Sequence, residues 1–495
     1  MKMKFFWMWA AAVVLGFTAC SDDDDEAAVG ITAGTITPAG SSITYQLKAA
    51  GNNVLDNKDD SVAWDVTDAA LKEAVLKVTP TLDATVFYNG DEVTEEGIVV
   101  DATVPITVTA MKDKKTVICT INVFRAQEAV EGLTKKATLV SNKVVWRDAA
   151  YWKNKFWLFT VTNEITDPEA GTALEKYVLS SSLDGINFTT VDYKITNVED
   201  EVLGGEGARL IPLGDKLYVL NGWRSLGTDI YGNEPEFMVG YLGRVAAPST
   251  WCGFVTSDGE NFESLAEKVS IVQGEMELPA SILYLYNNAY GQTVAFKGNI
   301  YQFGGFLSSF GMVQVARNVM RSADGTNWML LSPKDAEGAS IGLPHLGSEV
   351  FVLNDKLFLI NGFTNFVAAS QANRTVFCSS DGETWEAVDE IKGIDCIYQG
   401  RVVSDGKIAY LIGGEILGED GTRTLNDKIY KSTDGIKWTE VETPSSFVGT
   451  RFPSAVTVGS IVWLYGGTTS VSEGSYADYK GSETYSGDVW NTLLK

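Results

Sequence analysis

The sequence predicts an all-β chain, a small β-sandwich followed by a β-propeller of six four-stranded units. Three observations predict it. A phrase built on Asp-Gly and ending in an aromatic residue recurs five times: SLDGINF at 182–188, TSDGENF at 256–262, SADGTNW at 322–328, SSDGETW at 379–385 and STDGIKW at 432–438. A second phrase recurs beside it, an apolar run closed by Gly-Gly or Asn-Gly. The composition, with 48 Gly, 13 Trp, 19 Tyr and 22 Phe among 495 residues, supplies turns and large sheet-packing side chains. Asp-Gly between apolar runs is a hairpin signal, because a type I′ turn needs positive φ at both central residues and Gly accepts it freely.

The chain opens with two lysines, an apolar run from Phe5 to Thr18, and then Ala19-Cys20. The run is too short for a comfortable membrane-spanning helix and reads as a signal peptide. The small residue before Cys20 suits a lipoprotein signal, with Cys20 as the lipidated N-terminus, although Phe17 stands where Leu is usual. An ordinary secretory cut near Ala19 is the alternative, and both export the chain. The acidic run Ser21–Glu26 reads as a solvated tether. Its position resembles the acidic tag that sends some Gram-negative lipoproteins to the outer face of the outer membrane. The expected location is therefore the cell surface, with the membrane reached through the lipid alone. The expected division is 1–20 signal, 21–40 tether, 41–127 sandwich and 134–495 propeller.

In the sandwich, alternation starts at Ile43–Leu47, and Asp68–Val75 reads as a short helix. Strands are expected over 84–88, 104–111 and 115–124, the last two joined by a turn at Lys112–Lys115. About 85 residues of this pattern match an immunoglobulin-like sandwich in size, without its Cys…Trp…Cys signature. A spacer role is expected.

In the repeat region the apolar runs at 156–159, 218–222, 301–305, 358–362, 410–414 and 463–467 are equivalent second strands, each preceded by a tight polar turn and another apolar strand. Each unit therefore reads as strand A, turn, strand B, variable loop, strand C, Asp-Gly turn and strand D, the plan of a propeller blade. The sixth unit lacks an Asp-Gly phrase. The unpaired run 136–146 is expected to close the ring as its fourth strand, which removes exposed edges. The Gly-Gly endings resemble kelch repeats. The Asp-Gly phrase also resembles the Asp-box of sialidases, without the residue that box carries between Asp and Gly. The whole plan resembles a family of poorly characterised surface lipoproteins of Gram-negative commensals.

Composition narrows the chemistry. A net charge of −25 argues against nucleic-acid partners, whose phosphates need basic patches. The lone histidine, His345, excludes a multi-histidine zinc or copper centre, and with it a kelch-fold copper oxidase. Cys119, Cys252, Cys378 and Cys396 are scattered and read as free thiols. No cofactor or metal is expected.

Antiparallel order puts the short A–B and Asp-Gly turns at one end of the strands and the long B–C and D–A loops at the other. Variable loops on a rigid scaffold are where binding sites collect. Near the starts of the A strands lie Arg147, Arg209, Gln292, Glu349, Arg401 and Arg451. The four arginines either bind an anionic group bidentately or pair with Glu201, Glu206 or Glu349. Trp223, Phe306 and Phe363, with Tyr231, Phe310 and Phe366 further out, either stack on a ligand or pack between loops. The expected partner is a glycan or an extracellular protein. A sialidase-like glycoside hydrolase is the alternative, with Glu201, Glu206 and Tyr290 as candidate partners of an arginine-lined site.

Overall fold

The computed structural model describes residues 29–51, 53–57, 60, 62, 66–81, 84–125, 132–139, 144–167, 172–198, 203–222, 253–279, 286, 288–309, 312–363, 372–459, 461–470 and 485–493. The described chain is all-β, with one short α-helix at Asp68–Lys72. It divides into two units, Met1–Ala126 and Gln127–Lys495.

The smaller unit is one continuous sheet of nine strands around a single apolar core. One of its interior strands is a stretch that the sequence reading assigned to the tether. Ile31–Thr37 pairs antiparallel with Tyr45–Gly51 on one side and Ala74–Pro80 on the other. The stretch is rich in Gly, Thr and Ala, which disguises it as linker. Its Gly34 is there because a methyl group would meet the Lys77 carbonyl at 2.6 Å. The tether expectation for 21–40 therefore fails from Val29 onward, where Val29, Ile31 and Ile36 enter the core. The helix stops at Lys72 rather than 75, because Ala74 and Leu76 are buried from a strand. The helix starts where the Thr67 hydroxyl accepts the Ala70 amide at 3.2 Å.

The larger unit contains six sheets whose core is four antiparallel strands. The first is Val144–Trp152, Lys155–Asp167, Thr172–Ser182 and Thr189–Thr190. The second is Arg209–Leu213, Lys216–Leu220, Gly253–Thr256 and Asn261–Ser264. The third is Gln292–Phe296, Asn299–Phe303, Val319–Ser322 and Asn327–Leu331. The fourth is Glu349–Leu353, Lys356–Ile360, Thr375–Ser379 and Glu386–Glu390. The fifth is Arg401–Ser404, Ala409–Ile412, Ile429–Ser432 and Thr439–Val441. The sixth takes Ala455–Val458, Ile461–Thr468 and Tyr485–Leu493 from the C-terminal end, and Thr134–Thr138 from far upstream. The upstream strand pairs Lys135 with Trp490 and Ala137 with Val489. It is shorter than the expected 136–146, because the chain re-enters at Val144 as the first strand of the first sheet, and Trp146 belongs there. The first strand of each sheet packs against that of the next, and the sixth packs against the first, a closed cycle.

The Asp-Gly phrase is not the type I′ turn that the sequence reading expected. Of the two residues only Gly has positive φ, 74° to 86° across the five copies. The reason is the Asp side chain. Its Oδ1 accepts the amides two and three residues on at 2.7–2.9 Å in every copy. The Ser or Thr two residues before it accepts the Gly amide at 2.7–3.0 Å. In the second copy the Asn261 side-chain amide, with these amides, holds the Asp258 carboxyl well below the usual carboxylate range.

Each of these glycines lies against an aromatic ring of the preceding sheet. A methyl on Gly259 would come within 2.1 Å of Trp157, on Gly325 within 2.8 Å of Tyr218, on Gly382 within 2.1 Å of Tyr301, and on Gly435 within 2.6 Å of Phe358. On Gly185 it would meet the Tyr465 hydroxyl of the sixth sheet at 3.0 Å, so the first and last sheets also approach closely there. Turn residues reinforce these contacts. Lys297 Nζ donates to the Ser380 carbonyl at 2.9 Å and Asn354 Nδ2 to the Thr433 carbonyl at 2.9 Å, with Lys153 to Ser257 alike. The segment leaving each of the first four sheets then runs parallel to the outermost strand of the next: 194–195 beside 261–262, 270–273 beside 327–330, Lys334 beside Thr384, and Lys392 beside Lys437. This covers edges that would otherwise be open.

The closed cycle rests on glycine where no methyl fits. Gly382→Ala is expected to destabilise the larger unit by about 3 kcal/mol, combining a left-handed φ with overpacking on Tyr301. Gly274→Ala, also left-handed but facing open space, is expected to cost about 1 kcal/mol. Denaturant midpoints of the two variants check the difference. At the first–sixth seam, Tyr465 packs on Phe156, Phe188 and Trp463. Tyr465→Ala is expected to cost about 3–5 kcal/mol. Tyr465→Phe is expected to be near neutral, because the buried hydroxyl has no hydrogen-bond partner among the described residues. Thermal unfolding of both variants gives the comparison.

Candidate functional site

The candidate residues stand at the starts of the first strands, and a repeated backbone kink puts them there. Two residues before Arg209, Gln292, Glu349 and Arg401 the chain is left-handed, at Gly207, Tyr290, Gly347 and Gln399, with φ of 79°, 59°, 65° and 58°. The kinks are bonded to one another. Tyr290 N donates to Gly207 O at 3.2 Å, Gln399 N to Gly347 O at 3.2 Å, and Phe452 N to Gln399 O at 2.6 Å. The first strands of the third, fifth and sixth sheets thus each start from a fixed point on the neighbouring entry. Two positive-φ residues also stand at or near the end of the second strand in five of the six sheets, at Asn221-Gly222, Gly304-Gly305, Asn361-Gly362, Gly413-Gly414 and Gly466-Gly467. That is the physical content of the second sequence phrase.

Four charged side chains meet in the interior. Asp148, with 0% exposure, is the hub. Its Oδ1 takes Arg209 Nη1 at 3.2 Å and Arg401 Nη2 at 3.8 Å, and its Oδ2 accepts the Leu210 amide at 2.8 Å. Arg209 Nε also donates to the Gly291 carbonyl at 3.1 Å. Glu349 Oε2 accepts the Val402 amide at 3.2 Å, and its Oε1 faces Gln292 Nε2 at 3.5 Å. Burial pushes the Glu349 carboxyl up to about 8, with Arg401 and Arg209 opposing. Burial lowers Arg209, and the Arg401 charge acts in the same direction.

Three rings close over one side of this cluster. Trp146 meets Tyr290 at 5.0 Å and Phe452 at 5.9 Å between centroids, and Tyr290 meets Phe452 at 5.2 Å. They come from the first, third and sixth sheets or the segments entering them. The Arg209 guanidinium lies over the Trp146 ring at 4.9 Å, so it sits between an indole and a carboxylate. Trp146 Nε1 donates to the Ala208 carbonyl at 2.8 Å. The Tyr290 hydroxyl donates to the Glu206 carboxylate, and both residues are buried.

The sequence-predicted residues therefore separate. Arg209 and Arg401 come together on Asp148. Arg147 does not join them: its Nε donates to Thr160 at 3.3 Å and its guanidinium lies over Tyr485 at 5.4 Å, at the seam between the first and sixth sheets. Arg451 donates to the Ser470 carbonyl at 2.9 Å and to Gln399 Oε1 at 3.4 Å, which ties the sixth sheet's long connection to the fifth's entry. Phe363 is a correction. It is 1% exposed and packs edge-on to Tyr398 at 5.1 Å, because the left-handed Asn-Gly pair before it turns the chain inward. Phe306 lies on the strand Phe306–Ser309. Cys20 and Trp223 lie outside the described residues, as do Glu201, Tyr231, Phe310 and Phe366.

Sequence reasoning missed Asp148, Trp146 and Phe452. Alternation along the first strand was the available signal, since Trp146 and Asp148 share the face that Arg147 does not. Among the described residues, no group of three His, Cys, Asp or Glu side chains is placed to hold a metal ion. Burial, with the Arg317 charge, pushes His345 down to about 4, so its imidazole is neutral at neutral pH.

No protein family matches the chain, and no curated protein matches it. Among solved structures, one described as "Structure of YjhT" is similar over 59% of this chain and 79% of that chain, with 17% sequence identity and a TM-score of 0.37.

Asp148→Asn removes the one carboxylate that both the Arg209 and Arg401 guanidiniums pair with. It is expected to cost about 3–5 kcal/mol, read as a lowered denaturant midpoint of the larger unit. An unchanged midpoint would remove Asp148 as the hub.

Proposed function

We propose that the chain is an outer-membrane lipoprotein displayed at the cell surface, and that its larger unit binds a glycan or an extracellular protein through its long loops. In this reading the larger unit is a six-bladed kelch-like propeller closed by the upstream strand, and the smaller unit is an immunoglobulin-like spacer. The observation that carries the proposal is the inequality of the two ends of the strands. At one end every turn is short, and the Asp-Gly phrases are spent on joining sheet to sheet. At the other end the second strand of five sheets closes on two left-handed residues, and the connection to the third strand varies from sheet to sheet. Variable connections on a rigid frame are where recognition is built. Arg209 and Arg401 are committed to Asp148, which moves recognition outward from the interior to the loops.

A second reading, a sialidase-like glycoside hydrolase, is favoured by one specific contact. The Tyr290 hydroxyl on the Glu206 carboxylate, separated from the Arg209–Asp148 pair by the Trp146 ring, supplies residue types such a reaction would use.

A glycan array probed with the mature chain separates the readings. Binding without sugar release, reduced at least about tenfold when residues 223–251 are replaced by a short Gly-Ser turn, supports the loop-face binder. Sugar release abolished by Tyr290→Phe supports the hydrolase. Binding that the loop replacement leaves unchanged overturns the first reading.

A further inference from the structure

Glu349 is the member of the interior cluster whose surroundings do not suit a carboxylate. It is 1% exposed, and its side chain has one backbone amide at 3.2 Å and one long amide contact at 3.5 Å. Among the described residues it has no ion pair within 4.0 Å, whereas both nearby guanidiniums pair with Asp148. A buried ionised carboxylate with so little compensation is costly, and such a group holds its proton instead. The groups facing it from the surrounding strands are Gln292 from the third sheet, Arg401 and the Val402 amide from the fifth, and Arg209 from the second, with Asp148 behind the two arginines.

Arg401 is the less tightly held of the two guanidiniums. Its contact with Asp148, at 3.8 Å, is longer than that of Arg209 at 3.2 Å, and its side chain is 13% exposed against 4% for Arg209. It lies between two acids on different sheets. We propose that Glu349 is the neutral acid of this cluster, and that its ionisation draws Arg401 from Asp148 toward the fourth sheet. Proton binding at Glu349 then decides whether the fifth sheet is tied to the first across the interior. The reaction is a proton transfer to solvent with no other bond made or broken. The inference rests on the cluster alone and holds whatever the loops bind.

The sign follows from linkage. The folded chain holds a proton on Glu349 up to about 8, while an unfolded chain releases it near the ordinary glutamate value of 4.5. Between these values the folded state binds more protons, so this group's contribution to stability falls as pH rises through that window and is level beyond it.

An infrared titration of the intact chain in heavy water, from about pH 6 to about pH 10, reads the proton directly. The expected result is a protonated-carboxyl C=O band at the acid end that disappears around pH 8 and is absent from Glu349→Gln. A native chain with no such band overturns the proposal, without reliance on any variant folding. The swing of Arg401 is read from the midpoint loss caused by Arg401→Met. That loss is expected to differ between the two ends of the titration in the native background and to be the same in Glu349→Gln. An equal loss at both ends in the native chain overturns the swing.

Discussion

A glycine lying under an aromatic ring, with no room for a methyl group, is the contact on which the larger unit depends. It occurs at four junctions between sheets, and at the junction of the first and last sheets Gly185 lies tightly against the Tyr465 hydroxyl instead. The ring belongs to one sheet and the glycine to the next, so the distance between sheets is set by the thickness of an aromatic side chain. The Ser and Asp of the same phrase hold the glycine by satisfying its own amide and the two after it. In three copies the closing Trp returns its indole N–H to that glycine's carbonyl. The junction between the fifth and sixth sheets has no such glycine, since the sixth sheet takes its fourth strand from upstream. There Trp490 and Phe447 meet edge-on at 5.6 Å above a core of Tyr410, Ile412, Val462 and Leu464. Packing volume replaces the phrase where the phrase is missing.

Junctions that fix the sheets at their turn ends also fix where the first strands start. Six strand starts brought together draw charged residues into the interior, and Asp148, Arg209, Glu349 and Arg401 meet there. Taking charges out of water is costly unless each finds partners of good geometry. Asp148 meets that demand by accepting two guanidiniums and a backbone amide at once. The Trp146, Tyr290 and Phe452 rings then shield Arg209, which strengthens its interaction with Asp148 and raises the cost of losing either. The cluster is therefore a consequence of the packing outside it.

The repeats were legible because they record local chemistry. A left-handed residue or a missing Cβ leaves a glycine in the sequence, and repetition makes it visible. The turn type was misread because the Asp-Gly rule describes backbone preference alone, whereas here the carboxylate of Asp184 and its equivalents decides the conformation. The strand Ile31–Thr37 was hidden because Gly34 looks like linker and is in fact a point of close backbone approach. For the interior, counting back from each second strand located Arg209, Glu349 and Arg401. It could not tell them from Arg147, which sits one position along from Asp148 and faces the seam. One residue of alternation separates a structural cation from a member of the cluster, and only the pairing register decides which is which. Phe363 was read as a ring that stacks on a ligand or packs between loops, and the left-handed Asn361-Gly362 pair before it directs it into the core.

The same reasoning explains why the two ends of the strands differ. At the Asp-Gly end the hydrogen-bonding groups of each turn are already satisfied, by Ser, by Asp and by the lysine or asparagine reaching across from the preceding sheet. An insertion there would break a junction. At the other end the two left-handed residues at or near the end of the second strand anchor the chain to the entry of the first strand, where a methyl on Gly305 or Gly362 would strike backbone at 2.6 Å. The path is fixed up to that glycine. Beyond it the connection is short in some sheets and long in others, with no cost to the ring. Sequence variation is thus confined by packing to one end of the strands, and a surface that can vary without loosening its frame is the place for recognition to be built.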